Sequence, residues 1–121
     1  MLSLEDLSFH IQRDSYAGSS VCTVWYSYAV KCDGKNLNVP LEFWVDLWGE
    51  GILRERALGD SVYDDHRATA AVRMTHERHF QVPCTILNEE LGKDEIFLRL
   101  HARFIDGQEF FWDSAVVQDR F

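Results

Sequence analysis

The sequence has no apolar run long enough to cross a bilayer, no basic leader ahead of Glu5 and Asp6, and no low-complexity tract, internal repeat or linker. A spanning helix needs about 20 mostly apolar residues, and a secretory signal needs a charged start and an apolar centre. Neither a membrane segment nor a signal peptide is expected. With no linker to divide them, residues 1–121 read as a single domain. A chain of this size buries about two thirds of its unfolded surface around one core, so covalent staples are not required. Cysteine is scarce and odd in number. Cys22, Cys32 and Cys84 lack Cys-x-x-Cys spacing, and each is expected as a free thiol in a reducing, cytoplasmic setting.

Basic residues are in deficit, with 12 Lys and Arg against 20 Asp and Glu, a net charge of −8. A nucleic acid backbone is held by a basic surface that displaces its counterions, and no Lys/Arg stripe is visible, so nucleic acid is not an expected partner. No Gly-x-Ser-x-Gly elbow and no glycine-rich phosphate loop after a strand is found. The histidines of "THERH", His76 and His79, are three positions apart and miss the i, i+4 spacing of a helical zinc site; on a strand they point to opposite faces. Asp60, Asp64 and Asp65 have oxygens to offer calcium, but no EF-hand pattern closes around them. Glu42 and Asp46 share a strand face, yet four residues of strand separate them by about 13 Å, too far for a paired acid and base. The chain is expected to be no enzyme and to carry neither metal nor cofactor.

Alternation and aromatic residues are plentiful. In "VCTVWYSYAVKC" the residues Cys22, Val24, Tyr26, Tyr28, Val30 and Cys32 alternate with Thr23, Trp25, Ser27, Ala29 and Lys31. In "LNVPLEFWVDLW" Leu41, Phe43, Val45 and Leu47 take one face, while Pro40, Glu42, Trp44, Asp46 and Trp48 take the other. Both read as half-buried strands. With Gly34 and Lys35 at a turn tip they form an expected hairpin in which Val24 meets Val45, Tyr26 meets Phe43, and Trp25 lies opposite Trp44. Pro40 donates no N–H, so its far side is expected at a sheet edge or bulge.

A second hairpin is expected at the end, where "EIFLRLHARF" alternates and Asp106-Gly107 signals a turn. Two-residue and three-residue loops both suit that turn, so either Phe110 and Trp112 or Phe111 and Asp113 face inward. "HFQVPCTIL" reads as a strand with Phe80, Val82, Cys84 and Ile86 aligned, and "EGILRERALGD" as a short one with Arg54 and Arg56 on one side. Residues 61–78 admit two readings: one helix with Val62, His66, Ala70 and Met74 on a stripe, giving an α+β fold, or a loop followed by a strand. The all-β reading is the more economical, and the expected fold is an antiparallel β-sandwich, immunoglobulin-like in broad class.

The order of features in "HFQVPCTILNEELGKDEIFLRLHARFIDGQEFFWDS" resembles the starch- and glycogen-binding modules of carbohydrate-binding family 21: a Phe-led strand, an acidic loop, an alternating strand, an Asp-Gly-Gln turn and an aromatic-Trp-Asp ending. The resemblance covers residues 79–114 and implies a β-sandwich that binds an α-glucan. By it, Trp112 and Asp113 stand at the family's Trp-Asp, and Ser114 and Ala115 replace two asparagines. The function expected is a non-catalytic binding module, with Trp25, Trp44 and Trp48 as a stacking platform for a carbohydrate chain and Trp112 and Asp113 as a second contact. The alternative is an interaction domain that forms a homodimer or docks a partner protein through the same indoles. Both require that residues 59–79 leave Trp44 and Trp48 uncovered.

Overall fold

The computed structural model describes residues 1–13, 21–50, 55–57, 66–87 and 94–119. They form nine strands: β1 (Leu2–Arg13), β2 (Val21–Cys32), β3 (Pro40–Glu50), β4 (Glu55–Ala57), β5 (His66–Thr69), β6 (Arg73–Pro83), β7 (Asp94–Phe104), β8 (Glu109–Asp113) and β9 (Val117–Asp119). One sheet runs β1-β2-β6. The other runs β4-β3-β7-β8, with β5 also on β3 and β9 also on β7. Every pairing is antiparallel. The two sheets share one core in a β-sandwich with immunoglobulin-like crossing of the chain between layers.

The expected hairpin between residues 21–32 and 37–48 does not form. β2 pairs with β1 and β6, while β3 pairs with β4, β5 and β7. The chain steps across the sandwich after Cys32. A short 3-10 turn at Gly34–Asn36 and positive φ at Gly34 (70°) and Asn38 (69°) redirect it. Backbone hydrogen bonds then tie each side to a different sheet: the Cys32 N–H donates to Val72 O at 3.1 Å, and Asn38 and Val39 exchange bonds with Ala70 at 2.8 Å each. The apolar faces assigned from alternation are nonetheless correct. Val24, Tyr26, Tyr28, Phe43, Val45 and Leu47 are all buried, and the Tyr28 and Phe43 rings meet at 5.1 Å across the core. Burial pushes the Tyr28 phenol well above the usual tyrosine range, with Tyr26 adding to it.

β1 was not apparent from alternation because its register shifts between Leu4 and Asp6, leaving Glu5 as the extra residue of a bulge. Leu2 and Leu4 precede the slip, and Leu7, Phe9 and Ile11 follow it in the opposite parity, all against the core. Glu5 turns outward to Lys31 (3.6 Å) and Arg73 (3.1 Å).

A helix over 61–78 is excluded for the described part, because residues 66–69 and 73–78 are strand in different sheets. β2 needs a second neighbour, and β6 supplies it with Met74, Phe80 and Val82 toward the core. Residues 61–65 lie outside the described residues. β6 ends at Pro83, which cannot donate to a ladder, and a 3-10 turn at Cys84–Leu87 takes Cys84 out of line with Val82. That turn carries Cys84 to the start of β2, where it is disulfide-bonded to Cys22 with a Cα–Cα distance of 5.2 Å. The expectation of three free thiols therefore fails for two of them, and Cys32 alone is free and buried. The reading of a reducing compartment loses that premise.

The final hairpin uses the three-residue loop. Gly107 sits at φ 95°, its N–H donates to Phe104 O at 2.9 Å, and Asp106 Oδ1 accepts the Gln108 N–H at 2.9 Å. Leu100 then pairs with Trp112 and Ala102 with Phe110, which points Phe110 and Trp112 at the core and Phe111 and Asp113 outward. Ser114 interrupts the ladder before β9, its hydroxyl accepting the Leu98 N–H at 3.0 Å in place of a carbonyl. Among the described residues, no helix is long and apolar enough to cross a membrane.

Candidate functional site

The outward face of the larger sheet is built from alternate residues of β3, β7 and β8. Cross-strand register arranges them in rows. Glu42, Arg103 and Glu109 form the first, Trp44, His101 and Phe111 the second, Asp46, Arg99 and Asp113 the third, and Trp48 with Phe97 the fourth. Charged rows alternate with aromatic ones. Within the charged rows, β7 carries the bases and its two neighbours carry the acids.

The charged groups are paired within and between the rows. The Arg99 guanidinium forks onto Asp113, with Nε to Oδ1 at 2.7 Å and Nη2 to Oδ2 at 3.1 Å. Arg103 donates from Nε to Glu42 Oε1 at 3.0 Å and lies 3.6 Å from Glu109. The hydrogen bond to Glu42 raises its pKa above even the usual arginine value. Asp46 joins two aromatic rows: it accepts the Trp48 indole N–H at 2.7 Å, and its oxygens lie 3.1 and 3.2 Å from His101 Nε2.

The rings stand against each other across strands. Trp44 and His101 stack with centroids 5.0 Å apart and planes within 1°, and Trp48 and Phe97 stack at 6.4 Å and 13°. Arg99 Cζ sits 4.4 Å from the Trp48 ring and 4.6 Å from Phe111, and Arg103 Cζ sits 5.5 Å from Trp44. Indole faces are thus spent inside the surface. Phe111 is the ring that stands out, at 59% exposed.

The residues singled out from sequence are distributed over three surroundings. Trp44, Trp48 and Asp113 share this face. Trp112 packs inward against the core beside Phe110. Trp25 is on the opposite side of the sandwich, on the outer face of the smaller sheet, where His10 (6.2 Å) and His79 (4.4 Å) flank its ring. The expected cluster of Trp25 with Trp44 and Trp48 is therefore corrected, because it depended on pairing β2 with β3. The sequence reading placed Phe97, Arg99, His101 and Arg103 on one strand face without setting them beside the indoles; the β3–β7 pairing is what does so.

His76 lies opposite Tyr28 on the inward parity of β6, while His79 lies opposite Trp25 on the outward one. Among the described residues no group of three His, Cys, Asp or Glu is placed to hold a metal. Asp60, Asp64 and Asp65 lie outside the described residues. Whether residues 59–79 cover Trp44 and Trp48 is open from the sequence: of the described part, residues 66–69 are β5, paired with β3 in the larger sheet, and residues 73–79 belong to β6 in the smaller one; residues 59–65 lie outside the described residues.

No family model matches the chain, and no curated protein matches it. Among solved structures it is similar to a Bordetella pertussis protein with the provisional name ApaA, over 96% of this chain and 94% of that one, at 12% identity and a TM-score of 0.39. A likeness at that level carries no argument about function.

Proposed function

We propose that this chain is a non-catalytic binding module that self-associates through the outer face of its larger sheet. The observation that carries the reading is Phe111, 59% exposed and set against Arg99 and His101 on a surface whose charges are already paired. Aromatic and arginine side chains dominate the energetic centres of interfaces, and charges already paired lose less on desolvation. The bases of β7 lie between the acids of β3 and β8. A second copy displaced by one strand sets acids against bases, the self-complementarity that a two-fold interface requires. Catalysis is disfavoured because the carboxylates nearest the rings are committed: Glu42 to Arg103, and Asp46 to Trp48 and His101.

Sedimentation equilibrium of the parent and of Phe111→Asp tests this. The parent is expected to dimerise with a Kd at or below about 0.1 mM, and the variant to remain monomeric with an unchanged circular dichroism spectrum. A parent that stays monomeric throughout that range rejects the proposal.

An α-glucan remains the second reading, supported by Trp44 and Trp48 on one face with Asp46 between them and Asp113 beyond. The stacking of those indoles on His101, Phe97 and Arg99 weighs against it, since sugar rings bind aromatic faces. Titrating glycogen or maltoheptaose while following tryptophan fluorescence decides it; an unchanged spectrum removes the glucan.

A further inference from the structure

Beyond the aromatic rows, at the end of the same sheet where β5, the start of β3 and the β7–β8 turn meet, lies an open cavity of about 500 Å³. That volume falls within the range of small-ligand sites. Its character differs from that of the face beside it. Pro40 and Ile105 give it an apolar side, with Ile105 78% exposed at the turn. Arg67 and Arg103 flank it from the two strands on either side of Glu42. Arg103 is engaged by Glu42 and Glu109. Arg67 is exposed and makes no ion pair among the described residues, so one guanidinium at the rim keeps all its donors for a ligand. Among the described residues that line it, two cations against Glu42 leave one positive charge, in a chain whose net charge is −8.

We propose that this cavity binds a monocarboxylate with an apolar body, its carboxylate received by the fork of Arg67 and its body lying along Pro40 and Ile105. The charge requirement is specific: a second anionic group would meet Glu42, and a neutral ligand would leave Arg67 unused. A free aryl carboxylate and the C-terminal carboxylate of a peptide ending in an apolar residue share this chemistry.

The test is an NMR titration of the whole protein with phenylacetate, phenylacetamide and a short peptide ending in a free phenylalanine carboxylate. With phenylacetate or the peptide, the amides of Ala68, Ile105 and Gly107 are expected to shift and saturate at a Kd on the order of 1 mM or below. Tighter binding of the peptide by about tenfold assigns the source as a chain terminus; equal binding assigns a free carboxylate. Arg67→Gln, at an exposed site, is expected to weaken the titration about tenfold while leaving the spectrum folded. Equal shifts from phenylacetamide, an Arg67→Gln variant that titrates like the parent, or no shift at all overturns the proposal. Phe111→Asp is expected to titrate like the parent, so failure of the cavity and failure of self-association are separately visible.

Discussion

Asp46 holds two rings of the outer face at once, accepting the Trp48 N–H and facing His101, and it does so from the strand that carries both tryptophans. A carboxylate acceptor makes a stronger hydrogen bond than a neutral one, and the site is partly shielded from water. Asp46→Ala is therefore expected to destabilise the fold by about 1–2 kcal/mol, measured by urea unfolding monitored at the tryptophans. Asp46→Asn, which keeps an acceptor oxygen, is expected to recover much of that loss. Phe111 contrasts with it. Its ring contacts Arg99 and His101 but is mostly exposed, so its removal is expected to cost association and not stability.

At the scale of elements, the bulge in β1 explains how an apolar pattern of changing parity still faces one core. Glu5 is the added residue, and its deletion brings Leu2, Leu4, Leu7, Phe9 and Ile11 into a single alternation. Deleting Glu5 is thus expected to cost about 1 kcal/mol or less, chiefly the exposed pairs with Lys31 and Arg73. Deleting Ser8, three residues on, is expected to unfold or severely destabilise the domain, because it turns either Leu7 or Phe9 out of the core. Denaturant midpoints of the two deletions make the comparison direct. The same logic shows why β1 escaped the sequence reading: a search for strict alternation stops at the bulge. The C-terminal turn was recognisable from Asp106-Gly107, yet its loop length was open, because both lengths use the same residues and only the pairing of Leu100 with Trp112 selects one.

For the whole molecule, the Cys22–Cys84 bond joins β2 to the end of β6 across a sequence separation of 62. Closing a loop of that length in the unfolded chain is worth about 4 kcal/mol in the chain-entropy model. Replacing both cysteines by alanine is expected to lower stability by roughly that amount, and a reductant to lower the parent's denaturant midpoint while leaving the double variant's unchanged. Cys32→Ala is the control, expected to keep its sensitivity to reductant. Mass spectrometry of the native protein after thiol alkylation reports whether the bond is formed in the cell. Formation there would point to an oxidising setting rather than the reducing one first expected.

What the sequence determined by itself was the inward side of the strands that alternate without interruption, β2 and β3 above all. Leu41, Phe43, Val45 and Leu47 are buried while Trp44 and Trp48 face out, as their alternation implies, because successive side chains leave a strand on opposite faces whatever lies beside it. From enough such strands the all-β sandwich followed. Which strands are neighbours was decided only by the tertiary structure. Backbone ladders are chemically alike, so β2 and β3 satisfy their apolar faces equally well as a hairpin or as opposite walls of a core. The turn at Gly34–Asn36 and the hydrogen bonds to Ala70 and Val72 settle on the second. That choice sent Trp25 to one side of the sandwich, left Trp44 and Trp48 on the other, and brought the arginines of β7 between them and Phe111.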